Sequence, residues 1–155
     1  MEGNLMKNNR GFSLLELLIV VAIILIIATI AIPSLLRSRQ AANESAAVSN
    51  LRTINTAEVT YLSSAGGSYG SLPELVTAGL LDTRFNTATV SGYSFGVAAS
   101  GQDYTATANP SSANSGRYAY FSLPDAVIRY QTGSTGCGSP TGDCFPAGFS
   151  GAPVQ

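Results

Sequence analysis

Residues able to do chemistry are few in this chain of 155 residues. The absence of histidine excludes Ser-His-Asp and Cys-His catalysis and histidine-containing metal sites. The acidic residues lack the spacing of a paired-carboxylate site, and no glycine-rich loop precedes a helix to hold phosphate. A net charge of −1 gives no basic footprint for nucleic acid. We therefore expect no enzymatic activity, no cofactor and no nucleic-acid partner.

The two cysteines are the next candidates for chemistry. Cys137 and Cys144, with six residues between them, lie in a tail rich in Gly, Pro and Ser. Two thiols without any histidine leave a zinc shell incomplete, so no metal site is expected. If this part of the chain lies outside the cytoplasmic membrane, we expect a disulfide between them.

Glu16 is the third candidate, because it stands at the start of a long apolar run. From 17 to 32 the sequence reads LLIVVAIILIIATIAI, in which Thr29 is the single polar side chain. A carboxylate deep in a membrane helix costs about 2.5–3.5 kcal/mol and usually has a partner. One interpretation is that Glu16 reaches water at the interface. The other is that a cut before Phe12 creates an α-amino group, protonated at neutral pH, on the same helix face as Glu16.

The segment that carries Glu16 is long enough to cross a membrane. A helix from Phe12 to Leu36 would span a bilayer core of about 30 Å at a rise of 1.5 Å per residue. An ordinary secretory signal has a shorter apolar stretch of about 7–15 residues, so it fits less well. Cationic residues flank the run equally on both sides, and the charge balance therefore does not set the orientation.

The sequence KNNRGFSLLE at 7–16, with the apolar run and Pro33, resembles the N-terminus of type IV pilins and the related pseudopilins. The resemblance implies a leader at 1–11 that a prepilin peptidase removes after Gly11. It implies N-methylation of the new N-terminal Phe12, and a role for Glu16 in meeting a neighbouring subunit's amine during assembly. It also implies that the leader is cytoplasmic and that the remainder lies outside.

Two positions depart from that family pattern. Ser13 stands where the family most often has Thr, and Leu25 stands where many members have Gly. Pro33 is retained and removes one i→i−4 hydrogen bond, which predicts a kink or local melting near it. Leu25 predicts that any melted stretch is shorter.

Beyond Pro33 the sequence predicts an amphipathic continuation of the helix at 37–65. Apolar residues recur at helical spacing, with polar residues between them, and Gly66-Gly67 ends the pattern. One helix from Phe12 to Leu62 is the preferred interpretation, and two helices separated at Pro33 are the alternative.

The head at 66–132 is predicted to contain a short helix and a small sheet. Ser71 is a candidate N-cap and Gly79 a candidate helix end. Four β-like runs follow, at 93–98, 104–108, 118–122 and 126–130, with a hairpin connection at 100–103. The tail at 133–155 is predicted to be irregular. The fold class is α+β, with a long N-terminal helix packed on a small antiparallel sheet.

The predicted function is that of a structural subunit of a type IV pilus filament. Its partners would be further copies of itself, the prepilin peptidase, the pilus assembly machinery and the cytoplasmic membrane. Before assembly it would be a single-pass membrane protein with its C-terminus outside, and afterwards part of an extracellular filament. A secretion pseudopilin or minor pilin is one alternative, with Asp125 and Asp143 as calcium candidates. A membrane-anchored extracytoplasmic binding domain is the other.

Overall fold

The computed structural model of the chain describes residues 11–87, 89–132 and 152–154. Within these residues there are two α-helices, a 3₁₀ turn at Thr83–Asn86 and five strands. In chain order the helices and strands are α1 (Leu14–Ser64), α2 (Leu72–Thr77), β1 (Tyr93–Ser100), β2 (Asp103–Pro110), β3 (Tyr118–Ser122), β4 (Ile128–Thr132) and β5 (Ala152–Pro153). The chain divides into two compact units between Leu36 and Arg37.

The first unit contains the apolar beginning of α1. The helix starts at Leu14, two residues later than predicted, and the Leu17 amide donates to the Ser13 carbonyl oxygen at 3.2 Å. Pro33 lies inside α1, so the alternative of two helices separated at this residue is wrong. Within the described ranges, α1 is the one helix long and apolar enough to cross a membrane.

The second unit contains an antiparallel sheet in which every strand pairs with its sequence neighbours, in the order β1-β2-β3-β4-β5. The hairpin between β1 and β2 is confirmed, with Ser100 opposite Asp103 and Gly101 at a φ of 63°. Such a positive φ suits glycine, because a Cβ would be strained there.

The strand predictions hold except near β4. This strand begins at Ile128 and not at Ala126, because Ala126 lies in a turn with a φ of 58° and donates to the Leu123 carbonyl oxygen at 2.9 Å. The prediction of an irregular tail is wrong at Ala152–Pro153, which pairs with β4 as β5. A proline is compatible with this position, because an edge strand needs fewer amide donors.

The predicted amphipathic face of α1 is confirmed in the second unit. Ala47, Leu51 and Ile54 are fully buried, and Ala57 is nearly so. They belong to one core cluster with residues of α2 and of the sheet, which include Leu75, Tyr93, Tyr104, Ala106, Ala108, Tyr120 and Ile128. The predicted α+β fold class is therefore confirmed.

Both predicted helix ends carry glycines in the left-handed region. Gly67, at a φ of 93°, follows α1 and donates its amide to the Leu62 carbonyl oxygen at 3.1 Å. Gly79, at a φ of 72°, follows α2. At the start of α2, the Ser71 amide and hydroxyl both donate to Glu74 Oε2 at 2.7 Å, and these bonds lower the pKa of Glu74.

Candidate functional site

The predicted cleavage point lies in an accessible part of the chain. Gly11, Phe12 and Ser13 precede α1 and are exposed, and the Phe12 side chain keeps 78% of its surface exposed. A protease acts most readily on exposed chain outside regular secondary structure. The segment therefore has the accessibility that cleavage between Gly11 and Phe12 requires, and the cleavage itself stays a prediction.

Glu16 lies in the first turn of α1 and is exposed. The N-terminal end of a helix carries a partial positive charge, which favours a carboxylate at this position. Neither of the two salt bridges within the described residues involves Glu16. Phe12 is not helical in this structure, so the expected sharing of a helix face with Glu16 is not formed in the uncleaved chain. Before cleavage Phe12 carries a peptide nitrogen and offers Glu16 no charge.

The following turns of α1 form an exposed apolar surface. Leu15, Ile26 and Ile30 are 74%, 64% and 73% exposed. One face carries a shallow apolar groove lined at helical spacing by Leu14, Leu17, Leu18, Val21, Ala22 and Leu25. Burial stabilises such surface by about 25 cal/mol per Å² of apolar area. A surface of this kind indicates contact with a membrane or with another protein.

Thr29 and Pro33 form a second local feature of this part of α1. Pro33 has no amide hydrogen, so the Thr29 carbonyl does not receive the usual i→i−4 bond. The Thr29 hydroxyl instead donates to the Ile26 carbonyl oxygen at 2.7 Å. The Thr29 hydroxyl thus has its hydrogen bond within the helix and needs no partner outside it.

Sequence reasoning missed a set of polar side chains that attach α1 to the head. Glu44, Asn50, Asn55 and Glu58 are all buried, at 8%, 7%, 5% and 0% exposure. They alternate with the apolar core residues at spacings of three and four, so they lie on the same stripe of the helix. Their spacing could have revealed this burial. Polar residues on the outer face would not lie three or four positions from Leu51 and the other core residues.

Glu44 and Asn55 make the most extensive of these attachments. Glu44 accepts from the Arg117 backbone amide at 2.8 Å and from its guanidinium at 3.2 Å. Asn55 donates to the Ser122 hydroxyl at 2.8 Å and accepts from the Tyr104 hydroxyl at 3.0 Å. Burial raises the pKa of Tyr104, which keeps its hydroxyl a donor. The arrangement positions α1 on β2 and β3.

The arrangement of Asp125 does not favour a cation site. Its carboxylate accepts from the Arg129 guanidinium at 2.6 and 3.2 Å and from the Val127 amide at 3.0 Å. The Arg129 guanidinium lowers the pKa of Asp125. Within the described ranges no cluster of three or more metal-binding side chains occurs. The other calcium candidate, Asp143, and the predicted disulfide of Cys137 and Cys144 lie outside the described residues.

Comparisons with known proteins place this geometry in context. Residues 6–32 match the family model of the prokaryotic N-terminal methylation motif. The chain is 47% identical over 55 residues to the type IV major pilin protein PilA of Myxococcus xanthus, a match that covers 36% of this chain and 25% of that protein. It is 36% identical over 81 residues to the type IV wide pilus major component PilA4 of Thermus thermophilus, covering 52% of this chain and 62% of that protein.

The matches thus span a quarter and about three-fifths of these two relatives. No solved structure matches the chain. The resemblance of the N-terminal segment to type IV pilins is confirmed, and the motif covers the residues that include Gly11, Phe12 and Glu16.

Proposed function

We propose that the chain is a structural subunit of a type IV pilus filament and acts by assembly, not by catalysis. One observation carries this proposal, namely that the methylation motif at 6–32 includes the exposed apolar turns of α1 from residue 14 to residue 32. Both similar proteins are named as the main component of a pilus, which supports a major subunit over a minor pilin or a secretion pseudopilin.

In this proposal the apolar surface of α1 has two successive environments. The bilayer covers residues 14–36 before assembly, when the leader faces the cytoplasm and the head lies outside. In the filament, the same surface packs against the corresponding surfaces of neighbouring copies. Apolar contact area is kept in both environments, so transfer from lipid to filament does not expose this surface to water.

The charged group of Glu16 requires a partner in both environments. Removal of the leader by the prepilin peptidase creates the α-amino group of Phe12, which is largely protonated at neutral pH in water. This amine on a neighbouring copy is the proposed partner of Glu16, since a carboxylate in an apolar bundle is costly without a cation. Cleavage thus makes the subunit competent for assembly by the pilus machinery.

The test of the proposal is the substitution Gly11→Ala, which alters the residue before the predicted cleavage point. We expect a longer, unprocessed chain in the membrane and no filaments in sheared cell-surface material. N-terminal mass spectrometry of the subunit and negative-stain microscopy measure the two outcomes. Gly3→Ala, in the same leader but away from the cleavage point, is the matched control and should be processed normally.

Normal processing of the Gly11→Ala chain would overturn the proposed cleavage point. Wild-type chain absent from sheared filaments, despite correct processing and membrane insertion, would overturn the proposed role as a major subunit.

A further inference from the structure

A buried carboxyl group in the head has no role in the proposed assembly. Glu58 of α1 is fully buried. Its Oε2 accepts a hydrogen bond from the Gly70 amide at 3.1 Å. Its Oε1 is also buried and has no hydrogen-bond partner among the described residues.

Among the described residues, the surroundings of Glu58 provide no compensating positive charge. The titratable groups that interact with it are Glu74 of α2 and Tyr104 of β2, and neither of them is a cation. Neither of the described salt bridges includes it. Burial raises the pKa of Glu58 to about 7, the Gly70 hydrogen bond opposes this shift, and the charge of Glu74 adds to it. A charge without a partner in a dry site is costly, so the neutral form is favoured.

Glu58 binds a loop that is also held from its other side. We call residues 65–71 the latch loop. At one end of the contact, Gly70 lies against the Tyr61 ring so closely that a Cβ there would be 2.8 Å from Tyr61 Cε1. At the other end, the Tyr69 backbone amide donates to the Gly101 carbonyl oxygen at 2.9 Å. The centroid of the Tyr69 ring lies 4.6 Å from the centroid of the Tyr104 ring. The latch loop is therefore clamped between α1 and the β1–β2 hairpin.

We propose that Glu58 is a pH-sensitive latch, whose buried carboxyl is neutral when the latch loop is closed against α1 and whose ionisation favours release of the loop, because the hydration gained by both carboxylate oxygens exceeds the hydrogen bond lost from the Gly70 amide. An ionised Glu58 recovers hydration when the latch loop moves away from its oxygens. The glycine at position 70 permits this tight closure, because any larger residue would meet the Tyr61 ring.

The composition of the chain allows the titration of Glu58 to be separated from that of other groups. With no histidine in the sequence, no group of ordinary pKa near 6.5 titrates. The pKa values of Glu74 and Asp125 are lowered, so their effects on stability lie at lower pH. Glu58 has an ordinary value of 4.5 and a folded value of about 7. The folded state thus binds more protons between these values, and stability falls as pH rises through this window and is constant above it.

The experiment uses the full-length chain in detergent micelles. Carboxyl ¹³C NMR of glutamate-labelled protein follows Glu58, whose signal is assigned by its loss in Glu58→Gln. We expect a midpoint near pH 7, with the Gly70 amide signal changing at the same midpoint. The unfolding constant in denaturant should rise about 60-fold between pH 5 and pH 7.5 from this group alone.

The variants distinguish the latch from a general pH effect. Glu58→Gln keeps an acceptor for Gly70 but cannot ionise, so its unfolding constant should be nearly flat over the same range. Asp103→Asn changes an exposed carboxylate and should retain the wild-type profile.

A Glu58 midpoint below pH 5 would overturn the proposal, and so would a Gly70 amide signal that does not follow it. An equally steep profile in Glu58→Gln would assign the pH dependence to another group. If Glu58→Gln does not fold, the Gly70 amide signal of the unmodified chain decides the matter, because this amide donates to Glu58 Oε2 and reports its ionisation directly.

Discussion

The two parts of α1 differ in whether their polar side chains find partners within the described chain. In residues 14–36 the apolar side chains are exposed and the one carboxylate, Glu16, is exposed without an ion-pair partner among the described residues. In residues 37–64 a stripe of side chains is buried, and it includes Glu44, Asn50, Asn55 and Glu58. Three of these four accept or donate hydrogen bonds to side chains of the head, and Glu58 accepts from the Gly70 amide.

The contrast shows where each part finds its partners. The second part finds its partners within the chain, since the groups that bond to its polar stripe come from the sheet, the 3₁₀ turn and the connecting loops, and among these side chains Glu58 Oε1 is the atom left without a partner in the described residues. The first part offers apolar surface and one carboxylate that the described residues do not satisfy. Its partners are therefore expected outside the folded subunit, in lipid and in other copies, as the proposed function requires.

The largest expected effect comes from removing the carboxylate of the first part. Glu16→Ala should leave the subunit in the membrane with an unchanged thermal midpoint of the head, but should abolish filaments. The reason is that the Phe12 amine of a neighbouring copy would lose its counter-charge in an apolar bundle. Microscopy of sheared material and fractionation of membranes measure the two results.

Ser13→Ala is the matched control for this test, because it changes a neighbouring polar side chain without removing a charge. Filaments at wild-type abundance from Glu16→Ala would contradict the expectation that the first part of α1 needs a charged partner from another copy.

A substitution in the second part of α1 should, unlike Glu16→Ala, lower the stability of the head. Asn55→Ala removes two buried hydrogen bonds, one from the Tyr104 hydroxyl and one to the Ser122 hydroxyl, which should cost about 1–3 kcal/mol of unfolding free energy. Chemical denaturation of the full chain in detergent measures this. Thr56→Ala, at the adjacent exposed position, should change stability by less than about 0.5 kcal/mol.

Equal stability of the Asn55 and Thr56 variants would show that the polar stripe does not hold α1 on the sheet. The burial of apolar residues would then be what holds the second part of α1 on the sheet.

The smallest expected effect concerns an ion pair at the surface of the head. Asp125→Asn breaks the contact with Arg129, which lies at the i,i+4 position. The thermal midpoint should change less than in Asn55→Ala, and added salt should reduce the difference further, because solvent screens exposed charges. Since Arg129 lowers the pKa of Asp125, the contribution is present above the ordinary value of 3.8 and is lost as pH falls through the folded value.

A difference between wild type and Asp125→Asn that is independent of salt would mean that Asp125 acts through its bond to the Val127 amide and not through charge.

Features that depend on local patterning could be predicted from the sequence. The apolar run, the glycines after each helix, the Ser71 start of α2 and the hairpin at Gly101 each follow from neighbouring residues. The core positions Leu51 and Ile54 follow from helical spacing, which also predicts that they share a face.

Features that depend on distant partners could not be predicted in this way. Glu44 is buried because Arg117 reaches it across 73 positions of sequence, and Asn55 because Ser122 lies opposite it in space. β5 was missed for a similar reason, since two residues carry no pattern of their own and are defined by the edge of β4. For the candidate site, Glu16 and the residues around Gly11 could be identified from their spacing, whereas the late start of α1 required the structure.

The strand order of the sheet has a consequence for how quickly the head can fold. From β1 to β4 each strand follows its pairing partner after a short connection, so this part of the sheet can grow by short loop closures, which are entropically inexpensive. Attachment of α1 joins residues that are farther apart in the chain, such as Asn55 and Ser122 at 67 positions and Glu44 and Arg117 at 73 positions. We therefore expect docking of α1 to be slower than formation of the β1–β4 sheet, because contacts between distant residues require the closure of longer loops.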